Sequence, residues 1–131
     1  MKLSQYSEPL NGSITITGSK SESNRLLILQ KFYQNLSIEN LGESDDTAVM
    51  RKALSSTDEV VDIHHAGTAM RFLTAYLAQK NDGEFMLTGS ERMQQRPIEP
   101  LVTVLRQLGA SIEYLGVEGF PPLKLMGKTL Q

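Results

Sequence analysis

Cationic and hydroxyl side chains gather at three places in this sequence, each beside a glycine and each at the edge of an expected helix or strand. The first is Gly18-Ser19-Lys20-Ser21-Glu22-Ser23-Asn24-Arg25. Glycine lets a ligand approach the backbone closely, and the amides that open a helix favour an anion. Lys20, Ser21 and Arg25 add donors suited to phosphate or carboxylate. The order is not that of a Walker A loop, because no glycine directly precedes Lys20. A capped helix with solvated charges is the plainer alternative.

The second place is His65-Ala66-Gly67-Thr68-Ala69-Met70-Arg71. Small residues here lead into a helix whose first amides are open. A side chain at Gly67 would fill space that a closely approaching ligand needs; the alternative is ordinary helix–sheet packing through small residues. The third place, Thr88-Gly89-Ser90-Glu91-Arg92-Met93-Gln94-Gln95-Arg96-Pro97, carries Arg92 and Arg96. These are planar forks for carboxylate or phosphate, or else a solvated surface pair. Four of the six arginines (Arg25, Arg71, Arg92, Arg96) fall in these three segments of a chain whose net charge is −2. That concentration points to a small anionic ligand.

Other chemistries find little support. His64 and His65 are adjacent, so in a strand they face opposite ways, and no third ligand is suitably spaced; no metal is expected. Asp45 and Asp46 suit the positive end of a helix dipole better than acid/base work. With no cysteine, disulfides, thiolate zinc sites and cysteine nucleophiles are excluded. Nothing resembles a serine triad, and no aromatic stripe suggests stacking on bases. Thirteen cationic against fifteen acidic residues is the wrong balance for a nucleic-acid binder. No apolar run approaches the roughly 20 residues of a membrane span, and the N-terminus lacks a signal-like apolar core. A cytoplasmic protein without a cofactor is expected.

The elements that must position these residues follow from periodicity. Strict alternation over Ser13-Ile14-Thr15-Ile16-Thr17 predicts a strand. A helix is predicted from Glu22, with Leu26, Leu29 and Tyr33 on one face and Ile28 and Phe32 beside it. Leu36 to Leu41 reads as a strand. Ser44 caps a helix running to about Leu54 with an apolar face of Val49 and Ala53, and Glu59 to Ile63 is a strand. Gly67 opens a helix carrying Ala69, Leu73, Tyr76 and Leu77. Asn81-Asp82-Gly83 signals a turn, and Phe85 and Leu87 mark a strand. A further helix begins between Pro97 and Pro100, with Ile98, Leu101, Leu105 and Leu108 as its buried stripe and Gly109 as its left-handed end. Strands follow around Ile112-Glu113-Tyr114 and Leu123-Lys124-Leu125. Strands alternating with helices predict an α/β (α+β) fold. The 131 residues, 40% of them hydrophobic and 21% charged, suit one folded domain.

Taken in order, the three segments resemble the N-terminal part of the 5-enolpyruvylshikimate-3-phosphate synthase (3-phosphoshikimate 1-carboxyvinyltransferase) family. The resemblance runs through Gly18 to Arg25, Ser44-Asp45-Asp46, Ala66 to Arg71, and Leu87-Thr88-Gly89 with Arg92-Met93 and Arg96-Pro97-Ile98. It ends in Leu108-Gly109-Ala110 and Phe120-Pro121-Pro122-Leu123. It implies transfer of the enolpyruvyl group of phosphoenolpyruvate to the 5-hydroxyl of shikimate 3-phosphate, through a tetrahedral addition–elimination intermediate, on the pathway to chorismate and the aromatic amino acids. By resemblance Lys20 contacts both substrates, Ser21 and Arg25 bind shikimate 3-phosphate, and Gly67 and Arg96 bind phosphoenolpyruvate; Lys20 is also the candidate for stabilising charge in the transition state. His65, Thr68, Arg71 and Arg92 are secondary candidates. His65 and Phe72 depart from the family, which commonly has Asn and Pro at these positions. The stretch from Leu54 to Ile63 is also shorter than in many members.

The family fold has two halves, each of three sheet-and-helix units, with the active site between them. The resemblance therefore implies a fragment holding about two units of one half: 18–66 as the first and 67–131 as the second. The strand within 1–17 would normally pack in the absent second half. The acid/base residues would lie beyond Gln131, and the fragment would be inactive alone. A UDP-N-acetylglucosamine enolpyruvyl transferase fits less well, because Lys20-Ser21 and Asn24-Arg25 match the shikimate branch. A non-catalytic anion-binding module is the reading from a different class.

Overall fold

Two serines set where the first helices begin. The computed structural model describes residues 9, 11–80 and 83–130. Ser19 is the N-cap of α1 (Lys20–Phe32), accepting from the Glu22 amide at 3.5 Å. Ser44 caps α2 (Asp45–Ser55), accepting from the Thr47 amide at 3.3 Å. Each oxygen satisfies one of the amides that a helix start leaves open. After β1 (Val60–Asp62) come α3 (Gly67–Gln79), β2 (Glu84–Thr88), α4 (Glu91–Gln94) and α5 (Glu99–Gln107). The chain then returns as β3 (Ser111–Tyr114) and β4 (Leu123–Met126).

The four strands form one mixed sheet in the order β1-β2-β4-β3, parallel between β1 and β2 and antiparallel elsewhere. Register lines up two buried rows: Val61, Leu87 and Leu123, then Phe85, Leu125 and Ile112. Alternation leaves the other face half-open, where Lys124 reaches Glu84 at 2.9 Å. That hydrogen bond and charge hold the Lys124 pKa above its usual value. Helices α3 and α5 cover the buried face, and α1 and α2 pack beside α3. The α/β class predicted from alternation is thus what the chain adopts. Gly109 ends α5's turn at φ 95°, as its position predicts. The turn predicted at Asn81-Asp82-Gly83 falls, in its first two residues, outside the described residues.

Four local expectations need correction. Residues 13–17 form no strand, and Ile14 and Ile16 are 88% and 77% exposed. Alternation alone does not make a strand, and no neighbouring strand is present among the described residues to complete a ladder. Residues 36–41 are irregular. Asn40 there takes φ 51°, which a strand does not tolerate, while Ile38 and Leu41 still lean on the core.

Helix α1 turns a different face inward. Ser23, Asn24 and Leu27 are buried, while Leu29, Phe32 and Tyr33 are exposed. The Ser23 hydroxyl accepts the Gly42 amide at 2.8 Å, so a polar contact fixes the helix rotation against its hydrophobic pattern. Along α5, Val102 and Leu105 are buried but Leu108 is 44% exposed, because Leu108 is already the C-cap where the chain turns away.

This last difference sets a stability prediction. Leu105→Ala is expected to cost about 2–3 kcal/mol, the lower part of the range for buried leucine. Leu108→Ala should stay within about 0.5 kcal/mol. Urea denaturation of both variants checks it; equal losses would contradict the burial assignment.

Candidate functional site

The parallel pair β1–β2 directs the next segments to one end of the sheet. Ligands in open α/β sheets bind beyond the carboxyl ends of such strands. After β1 the chain passes through His64 (φ 49°) and His65 into α3. After β2 it passes Gly89 into α4. The two exits are clamped together: Ser90 donates its amide to the His64 carbonyl at 2.8 Å. A Cβ on Gly89 would crowd that carbonyl at 2.6 Å. Gln94 closes the second turn by donating to the Gly89 carbonyl at 2.9 Å.

Helix α3 starts without a cap. Ala66, its N-cap, has no side-chain oxygen to accept from the first-turn amides, and that turn holds no acid. Helices α1 and α2 both have a serine cap and a first-turn acid. An uncapped start beside cations is ready for an anion from outside the chain.

A cavity of about 490 Å³ opens there. Lys20 and Arg25 come to it from α1, Asp46 from α2, and Gly67, Thr68, Arg71 and Phe72 from α3. His65 and Arg96 come from the two exit segments. Four cations therefore face a single carboxylate. Lys20 Nζ lies 3.5 Å from Asp46 Oδ2, with the lysine half exposed. The backbone behind Lys20 is tightly seated: a Cβ on Gly18 would collide with the Asn40 carbonyl, and one on Gly42 would meet the Gly18 carbonyl at 2.7 Å. At the start of α3 a Cβ on Gly67 would collide with the Arg96 guanidinium. Arg71 donates to the Gly67 carbonyl at 3.4 Å.

A second cavity, of about 540 Å³, adjoins the first through the shared His65 and Arg96, and adds Arg92 and Met93. Lys20, Arg25, His65, Gly67, Thr68, Arg71 and Arg96 are thus brought together, with Arg92 next door. Ser21 is not among the lining residues; its carbonyl instead accepts Arg25 Nη1 at 2.7 Å. Asp46 and Phe72 lie in the cavity unforeseen as site residues. Asp46 sits 26 positions from Lys20 in sequence, so no spacing signals their meeting. Among the described residues no cluster could hold a metal ion, and no helix is long and apolar enough to cross a membrane.

Asp46 competes with any incoming anion for Lys20. Asp46→Asn is therefore expected to leave stability within about 1 kcal/mol, as for other partly exposed pairs. It should raise affinity for inorganic phosphate by up to about fivefold. Titration at low salt checks this; weaker binding would make Asp46 a support of Lys20 instead of a competitor.

Comparisons with known proteins come down on one family. The model described as EPSP synthase (3-phosphoshikimate 1-carboxyvinyltransferase) matches residues 52–131. A 3-phosphoshikimate 1-carboxyvinyltransferase of Bacteroides fragilis is 52% identical over 122 residues, covering 92% of this chain and 30% of that protein. Its counterpart in Bordetella pertussis is 41% identical over 144 residues, covering 92% and 32%. The second alignment is longer than this chain and so holds gaps opposite it. EPSP synthase from Acinetobacter baumannii shares the fold, with a TM-score of 0.73 at 21% identity over 88% of this chain and 32% of that one. The chain thus spans about a third of the length of the relatives it matches.

Proposed function

The chain belongs to the EPSP synthase (3-phosphoshikimate 1-carboxyvinyltransferase) family, and from that membership we propose that it supplies one wall of an enolpyruvyl-transfer site. Its substrates are phosphoenolpyruvate and shikimate 3-phosphate, and the product is 5-enolpyruvylshikimate 3-phosphate with release of phosphate. The observation that carries this reading is the convergence of Lys20, Arg25, Arg71 and Arg96 on one cavity beside an uncapped helix start. Both substrates are polyanions, and oriented cations with open amides are the means by which proteins hold them.

In the reaction, the 5-hydroxyl gives up its proton as its oxygen bonds to C2 of phosphoenolpyruvate, and C3 takes a proton. The tetrahedral adduct then loses a proton from C3 as its C2–O bond to phosphate breaks, which leaves the enolpyruvyl ether and inorganic phosphate. The work assigned to this chain is electrostatic. Lys20 touches both substrates and offsets charge that grows on the phosphate as the adduct collapses. Ser21 and Arg25 hold shikimate 3-phosphate, Ser21 through its side chain at the exposed start of α1. Gly67 and Arg96 hold phosphoenolpyruvate, with His65, Thr68, Arg71 and Arg92 around them. No residue of this chain is assigned the proton transfers, so turnover requires the remaining two-thirds of a family member, and the chain alone is inactive. A cytoplasmic location accords with this reading.

The test is a chimera in which this chain replaces the matching segment of the Bacteroides fragilis relative. Enolpyruvyl transfer by the chimera, with none by the 131-residue chain alone, is expected. A folded chimera that binds phosphate but never turns over would favour a non-catalytic anion-binding module.

A further inference from the structure

Arg25 is held from two directions. Its Nη1 donates to the Ser21 carbonyl one helical turn back, at 2.7 Å. Its guanidinium carbon stands 5.5 Å from the centroid of the Phe72 ring, which reaches it from α3. Phe72 is partly buried and rooted in the core, so the ring is a fixed platform, while Arg25 is an exposed side chain on a flexible stem. Among the described residues the Nε–H and Nη2 of Arg25 have no protein partner. That pair is the side-on edge of the guanidinium, two parallel donors that match two oxygens of a phosphate or carboxylate. Phe72 and Arg25 line the same cavity as Lys20, Arg71 and Arg96.

We propose that Phe72 is a positioning residue: its ring, with the Ser21 carbonyl, holds the Arg25 guanidinium so that its free two-donor edge meets a phosphate monoester in the cavity. This rests on the proposed anion-binding role of Arg25 and deepens it. An arginine ordered before the ligand arrives loses less side-chain freedom on binding, and stacking on a ring leaves the donor edge unoccupied. A carboxylate partner could order Arg25 as well, but it would consume the donors the ligand needs.

The experiment compares Phe72→Leu, which removes the ring and keeps an apolar side chain, with Phe72→Tyr, which keeps the ring. The ligand-free readout is the Arg25 Nε–H resonance. Phe72→Leu should shift it, by removing the ring current, and should raise its mobility. Phe72→Tyr should leave both near those of the parent chain. An Arg25 signal unmoved by Phe72→Leu overturns the proposal whatever binds.

The second readout is titration with inorganic phosphate. Phe72→Leu should weaken binding about two- to fivefold, Phe72→Tyr should restore it, and Phe72→Leu should have no effect in an Arg25→Ala background. Equal losses in both backgrounds would show a merely structural role and overturn the proposal. If the parent chain binds no phosphate, the anion-site reading fails, and the Arg25 resonance alone then decides the role of Phe72.

Discussion

Lys20→Met in the chimera is expected to lower kcat/KM by about 10²–10³, the usual loss when one donor aimed at developing charge is removed. Methionine keeps the length and most of the apolar stem of lysine and deletes only the charge. The fold should not respond. The ammonium is half exposed and its pairing with Asp46 spans 3.5 Å, a kind of contact worth at most about 1 kcal/mol. The backbone of Lys20 is set independently, by the Gly18–Gly42 contact and by the Ser19 cap. Steady-state kinetics with each substrate varied in turn, beside a melting curve, makes the measurement. A chimera whose turnover stays within about twofold on losing Lys20 would remove this residue from the chemistry.

Gly67→Ala should produce the second large effect, by a different route. The added Cβ points at the Arg96 guanidinium, the far end of a flexible side chain, so the arginine swings away at little cost to stability. What is lost is the position of Arg96 at the α3 start. A charge-assisted hydrogen bond is worth about 1.5–3 kcal/mol, so affinity for phosphoenolpyruvate should fall at least about tenfold. Shikimate 3-phosphate, assigned in the proposed function to Ser21 and Arg25 on α1, should be affected far less. That asymmetry separates a displaced Arg96 from a generally damaged site. Equal losses for both ligands, or a large drop in melting temperature, would contradict it.

The start of α2 is legible because a serine oxygen and its target amide lie only three residues apart, at Ser44; at α1 the Ser19 cap begins the helix two residues before the expected Glu22. The sheet from β1 to β4 is legible for a related reason: buried residues alternate with more open ones along β2 and β4, and the single buried residue of β1 and of β3 is flanked by more open ones. What fails are features decided at long range. The alternation of residues 13–17 is genuine, yet a strand exists only beside another strand. The rotation of α1 is set by Ser23 bonding to Gly42, nineteen positions away, and its hydrophobic pattern points elsewhere.

The site divides in the same manner. Lys20, Arg25, Gly67 and Arg96 stand out because glycine and cations sit together at element boundaries. Their neighbours in the cavity, Asp46 and Phe72, have types that fit a helix equally well without any role, and only packing of α1 against α2 and α3 brings them in. Short α4, four residues long, has too few positions to show a period, yet it leads the chain to Arg96.

A preformed anion site within these 131 residues should take up shikimate 3-phosphate unaided, and calorimetric titration of the chain with that ligand is the measurement. Saturable binding is predicted, weakened by added salt and by Lys20→Met or Arg25→Ala with the melting temperature unchanged. No heat up to about 10 mM ligand, an affinity weaker than about −2.7 kcal/mol, would contradict it.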